Sequence, residues 1–137
     1  MTKQKRTTYL ILPILVLALA ALACSGGSTT THKLTGNSGE VRVRMKEVDG
    51  AETTSMEINE DWSRTRVAAT VTFSVEAGSC LANVTGEDGT AISLSASAGS
   101  PGQASGDLVT DGFGEVDLTA ECQGGTNLDL TVQFSLK

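Results

Sequence analysis

Residues 40–137 predict an all-β domain, an antiparallel β-sandwich of about seven strands, and three observations carry that expectation. Apolar residues recur at every second position through most of the stretch, the period of a strand with one buried face. Turn-forming Gly, Asp, Asn and Ser separate the alternating runs. No stretch of the mature chain shows the 3.6-residue spacing of an amphipathic helix.

The elements follow in chain order. Val41, Val43 and Met45 alternate with Arg42, Arg44 and Lys46, and a shorter candidate runs through Met56 and Ile58 towards Trp62. The strongest alternation spans Val67 to Val75. Cys80, Ala82 and Val84 form the next inward set, then Ile92, Leu94, Ala96 and Ala98, with Asp107–Thr110 as a weak edge strand. Gly114 to Cys122 and Leu128 to Leu136 complete the pattern. Residues opposite each other in a strand pair share a face, so matching the inward sets sets the parity of each turn. It predicts the three-residue loop Glu87-Asp88-Gly89, a two-residue loop Ala77-Gly78, and a three-residue loop Gln123–Gly125. Both three-residue loops end in glycine, which tolerates the left-handed conformation such hairpins require. On this reading residues 66–98 form a meander and residues 113–136 a hairpin.

The chain begins with a leader. Lys3, Lys5 and Arg6 precede an uncharged run from Tyr9 to Ala23, too short to span a bilayer, so residues 1–23 read as a signal peptide. The segment Ala20-Ala21-Leu22-Ala23-Cys24-Ser25 follows, and here the chain resembles the bacterial lipoproteins, whose lipobox ends in a small residue before an invariant cysteine. The resemblance implies that the Cys24 sulfur carries diacylglycerol and that cleavage makes Cys24 the new N-terminus. It places the protein on the cell membrane, lipid-anchored and facing the extracytoplasmic side. Ala21-Leu22-Ala23 also fits an ordinary secretory cleavage site, which leaves plain secretion open. Three cysteines in an exported chain leave one unpaired; acylating Cys24 removes the odd one and leaves Cys80 and Cys122 to form a disulfide. Residues 24–39 then form the lipidated cysteine and a flexible polar tether, with His32 and Lys33 as solvated linker residues.

Cys80 and Cys122 lie in phase with the inward residues of two separate units, so their bridge is expected to tie meander to hairpin across the core. That arrangement suggests an immunoglobulin-like sandwich, although Trp62 precedes both cysteines, whereas immunoglobulin domains place tryptophan between them.

Composition narrows the function classes. Beyond the leader seven basic residues face sixteen acidic ones, a balance that excludes nucleic acid as partner. The domain has no histidine beyond the tether, and none of GxSxG, HExxH or GxxxxGK[ST] occurs, so no enzyme is expected. Acidic clusters supply hard oxygen ligands of the type calcium takes, with Asp107, Asp111 and Glu115 as the candidate set. None has the spacing of a defined calcium loop, and Asp111-Gly112 also reads as a simple turn.

The one region that joins an aromatic to charges of both signs is Glu60-Asp61-Trp62-Ser63-Arg64, a candidate contact surface expected on a loop. Trp62 keeps phase with Met56 and Ile58, which favours a core-edge position. Phe113, between two glycines, reads as a loop plug. The arginines and lysine of residues 42–46, together with Arg64 and Arg66, could make a basic stripe. The expectation is a non-catalytic interaction module presented to an unknown envelope protein or glycan. The alternative is an accessory carrier lipoprotein for a small ligand, carbohydrate or calcium.

Overall fold

The computed structural model describes residues 28–137. The expected signal peptide, Cys24 and the first residues of the expected tether lie outside the described residues. Seven antiparallel strands form the domain: β1 (Ser28–Thr35), β2 (Ser38–Glu57), β3 (Arg66–Ser74), β4 (Ala77–Thr85), β5 (Ala91–Ser97), β6 (Gly102–Val109) and β7 (Glu115–Leu136). One layer runs β1-β2-β7-β3-β6. The other runs β2-β7-β4-β5, because β2 and β7 are long enough to pass through both.

The predicted hairpin over residues 113–136 is replaced by this single strand β7. It pairs with β2 from Glu115↔Glu57 through to Ser135↔Ser38 without reversing direction. The short candidate at Met56 likewise belongs to β2 rather than to a strand of its own. Where the two strands leave one layer for the other, Gln123 and Gly124 oppose Asp49 alone, and the register shifts between Val48 and Gly50. Such an extra residue bends the pair. Gly50 (φ +98°) and Gly124 (φ +61°) occupy the left-handed region there, and the Gly124 N–H donates to the Asp49 carboxylate at 3.2 Å. Burial changes phase at this bulge and again near Asn127 (φ +48°), so the inward residues remain even-numbered on both sides. Equal parity suits a continuous strand with two phase changes as well as it suits a hairpin.

The predicted meander is also only partly present. β4 and β5 pair as expected, with Val84↔Ile92 and Cys80↔Ala96, and the loop Glu87–Gly89 is a short 3-10 turn closed by Gly86 N–H to Thr90 O at 2.9 Å. β3 and β4 do not pair. β3 lies beside residues 129–136 of β7 and β4 beside residues 117–126, so the chain crosses between layers at Val75-Glu76.

Residues 28–35 are not part of a tether. They form β1, which pairs with β2 from Ser28↔Met45 to Thr35↔Ser38. Every β1 side chain is exposed, so the strand is held by backbone hydrogen bonds and leaves no hydrophobic period. β6 is longer than its predicted core at Asp107–Thr110 and edges the first layer against β3.

The core is the alternation made solid. Phe73, Met56, Ile58, Leu108, Leu118 and Leu130 are its largest fully buried side chains, with valines and alanines between them. Ala98 and Leu136, both in inward phase, are exposed at strand ends, whereas Val48 is buried past the phase change.

The disulfide forms between Cys80 and Cys122, but within one layer. The two residues are direct cross-strand partners on β4 and β7 with Cα atoms 4.1 Å apart, rather than a bridge across the core. They are 42 residues apart in the chain, so the bond still restricts a long unfolded loop. Replacing both cysteines by alanine should lower the unfolding free energy by about 2–4 kcal/mol, measured by urea denaturation of oxidised protein.

Candidate functional site

The predicted contact segment lies on the β2–β3 connection, and its backbone is tied to the β6–β7 connection. Gly114 O accepts the Ile58 and Asn59 N–H groups at 2.9 and 3.2 Å, and Asp111 O accepts the Arg64 N–H at 2.9 Å. Buried Asn59 closes the turn, its carbonyl accepting the Trp62 N–H and its side-chain oxygen the Asp61 N–H, both at 2.9 Å. Thr110, also buried, donates its hydroxyl to the Trp62 carbonyl and accepts the Thr65 N–H at 2.9 Å.

This network fixes Trp62 half-buried. Its ring meets Phe134 edge-on, with centroids 5.9 Å apart. On its other side Phe134 stacks against His32 at 6.4 Å. The His32 Nε2–H donates to the Ile58 carbonyl at 2.7 Å. His32, expected as a linker residue, is therefore a ring of this aromatic corner, placed there by β1. Phe134 has room because its partner on β2 is Gly39, where a Cβ would stand 2.7 Å from the ring. Glu60, Asp61 and Arg64 remain exposed at the rim, with Arg64 Nε 3.4 Å from Glu87. Phe113 is 76% exposed and plugs nothing. The glycines on either side of it let the turn project, and Asp111 holds that turn by accepting the Phe113 and Glu115 N–H groups at 2.8 and 3.0 Å.

The structure does not gather the calcium candidates. Asp107 on β6 binds Lys137 Nζ at 2.6 Å and lies 3.6 Å from Arg66, while Asp111 caps its own turn and Glu115 begins β7. Among the described residues no three His, Cys, Asp or Glu side chains stand together as a metal site.

Charge is divided between the layers. The strand segments of the second layer, residues 51–57, 77–85, 91–97 and 115–123, contain no lysine or arginine. Apart from Leu81 their outward side chains are small, polar or acidic, and several bond among themselves, Ser55 to Asp117 at 3.1 Å and Ser93 to Asn83 at 2.9 Å. Every basic residue of the described chain except loop Arg64 belongs to the first layer or its end: Lys33, Arg42, Arg44, Lys46, Arg66 and Lys137. The basic stripe at residues 42–46 is real, and Arg66 shares its layer. Arg42 grips Asp129 through two hydrogen bonds, one of 2.8 Å. That hydrogen bond, helped by the charges of Arg42 and Arg44, holds the Asp129 carboxyl below its usual value. The hydrogen bond from Lys137 does the same for Asp107.

A surface the sequence did not single out lies on the outside of the second layer. An open groove of about 990 Å³ crosses its four strands beside the disulfide. Asp49 marks one end, and Ser97 and the Ser100-Pro101 connection mark the other. Its floor carries Ser79, Leu81, Ser95, Glu121 and Gln123. Leu81 is 51% exposed, the one large apolar side chain at an outward position of these strands, and it was the available signal.

No protein-family model matches the chain, nor does any curated protein sequence. Solved structures share its strand arrangement distantly. The CBM22-1 xylan-binding domain of Paenibacillus barcinonensis Xyn10C is 12% identical, with 81% of this chain and 82% of that chain covered and a TM-score of 0.42. The CBM6cm-2 carbohydrate-binding module of Cellvibrio mixtus lichenase 5A, solved with cellotriose, is 13% identical over 82% and 88% at 0.39. A Bacillus endospore appendage protein of disulfide-linked pili is 16% identical over 83% and 96% at 0.41.

Two outcomes follow from this geometry. Trp62→Ala should cost about 2–3 kcal/mol in urea unfolding, below the ~3–5 kcal/mol of a fully buried tryptophan, because Trp62 is only partly buried. The depressed Asp129 carboxyl gives stability that is complete above the ordinary value of 3.8 and is lost as pH falls through its lowered folded value. The stability gap between wild type and Asp129→Asn should therefore close on acidification below about pH 4, as read from melting temperatures across that range.

Proposed function

We propose that this chain is a lipid-anchored, extracytoplasmic binding module of the bacterial cell envelope, which holds a polar polymer in the groove beside the Cys80–Cys122 bridge and carries out no catalysis. The composition of that groove carries the reading. Its hydroxyls, carboxylates and amide offer hydrogen-bond donors and acceptors around the apolar surface of Leu81, and no cation stands in the strands beneath it. Such a lining suits the hydroxyls and C–H faces of a neutral glycan and repels a polyanion. An open trough crossing four strands suits a chain that runs through it, whereas a small ligand needs enclosure. The basic, apolar and Cys24 sequence of the leader supports the anchor. Two acyl chains hold a protein stably on a bilayer.

One experiment addresses both parts. Cells expressing the full chain are fed radiolabelled fatty acid, and the recovered protein is run through gels containing neutral or anionic polysaccharides. The wild type should carry label that Cys24→Ala lacks, and at least one neutral polysaccharide should retard it. Leu81→Asp and Glu121→Lys should each weaken that retardation about tenfold without shifting the melting temperature. Absence of label overturns the anchor. Retardation only by polyanions, or retention of full binding by both groove variants, overturns the groove.

A further inference from the structure

We propose that the basic outer face of the first layer, centred on Arg44 and Lys46 where β1 begins, seats on anionic phospholipid headgroups and turns the groove away from the membrane. This orientation rests on the lipid-anchor reading and adds to it a second, electrostatic contact.

The first argument is reach. A tether extending through Ser38 would let the domain drift some 20 Å from the bilayer. The structure removes most of it, because β1 is in the sheet from Ser28 onward. Only Ser25, Gly26 and Gly27 separate that strand from Cys24. At about 3.5 Å per residue, the acylated residue lies within ~14 Å of Ser28. Whatever surface surrounds Ser28 is therefore held at the headgroups.

The second argument is what that surface carries. Ser28 pairs with Met45, and beside the pair lies a groove of about 440 Å³ lined by Thr29, Arg44, Met45, Lys46 and Leu128 together with Asp129. Asp129 is committed to Arg42, which leaves Arg44, 59% exposed and 3.8 Å from that carboxylate, with charge to spare for another anion. Lys46 and Asn127 line the same groove, and Glu47, the exposed neighbour of Lys46 in sequence, is the nearest acid along β2. Lys33 stands opposite Glu40 on the same face, and Asp107 at its far side is held by Lys137 and Arg66. Met45 and Leu128 are buried beneath this groove, and the exposed Arg44 and Lys46 side chains above them match lipid phosphates.

The third argument is the opposite layer, whose strand segments hold no basic residue and whose outward acids are repelled by an anionic leaflet. Each basic residue close to such a surface strengthens attachment roughly fivefold. The division of charge therefore sets which face turns down, and the groove of the second layer faces away.

The test uses the full lipidated chain, purified in detergent and returned to vesicles of phosphatidylcholine or of an equal mixture with phosphatidylglycerol. A reference lysine is introduced on the second layer by Thr119→Lys. Intact mass establishes the adduct on Cys24, and amine acetylation followed by peptide mass spectrometry reads each lysine. Labelling of Lys33 and Lys46 should fall at least fivefold on anionic vesicles relative to neutral ones, with the reference lysine unchanged. Arg44→Glu with Lys46→Glu should restore Lys33 labelling while the lipid keeps the protein on the vesicle. Inorganic phosphate in detergent should leave Lys46 labelling unaltered. A missing adduct overturns the anchor and this orientation with it. An intact adduct with equal labelling on both vesicles overturns the orientation alone, as does protection by free phosphate equal to that by lipid.

Discussion

The pairing of β2 with β7 along the full length of both strands is the constraint on which the rest of the domain depends. Each strand serves two layers, so the sandwich is one bent ribbon of two strands with the remaining five added along it. The bulge at Asp49 and Gly124 is where that ribbon turns, and its left-handed glycines allow the turn without breaking the ladder. The Cys80–Cys122 bond fastens β4 to β7 beside this bend. Valine is the commonest core residue, with leucines, alanines and a few larger side chains filling the space between the layers.

Because β2 and β7 reach both layers, one ribbon also carries two opposed chemistries. Its β2 half next to β1 presents Arg42, Arg44 and Lys46, while its β7 half next to β4 presents Asp117 and Glu121. Segregating the charges costs little in mutual attraction, since exposed pairs contribute about 0–1 kcal/mol each. What it supplies is a domain with two electrically different faces. The groove and the basic face lie on opposite layers.

The aromatic corner shows how a long-range contact converts residues of modest pattern into a structural unit. His32, Trp62 and Phe134 come from β1, the β2–β3 connection and the end of β7, and their rings meet only because Gly39 leaves the space above Phe134 empty. Trp62 is thereby drawn half into the core edge, in keeping with its phase. The contact segment predicted around it is a braced corner whose exposed part is Glu60, Asp61 and Arg64.

Alternation along the chain established most of the side chains that face inward between Val41 and Phe134, the antiparallel all-β class and the Glu87–Gly89 loop, and the cysteine count identified the disulfide partners. Those are properties of face and of local turn chemistry, and they are written at short range as period and composition. Strand partnership is not. The choice between a hairpin and a continuous bulged β7 leaves the same parity of buried residues, so only the approach of β2 and β4 decides it. β1 escaped notice because its cohesion lies mainly in backbone N–H and C=O groups, which every residue carries alike, while its side chains are largely exposed and show no hydrophobic period. The basic stripe at residues 42–46 was legible as alternation, but the groove was not. Ser79, Leu81, Ser95 and Glu121 are ordinary outward residues in the sequence, and only pairing between distant segments gathers them into one surface.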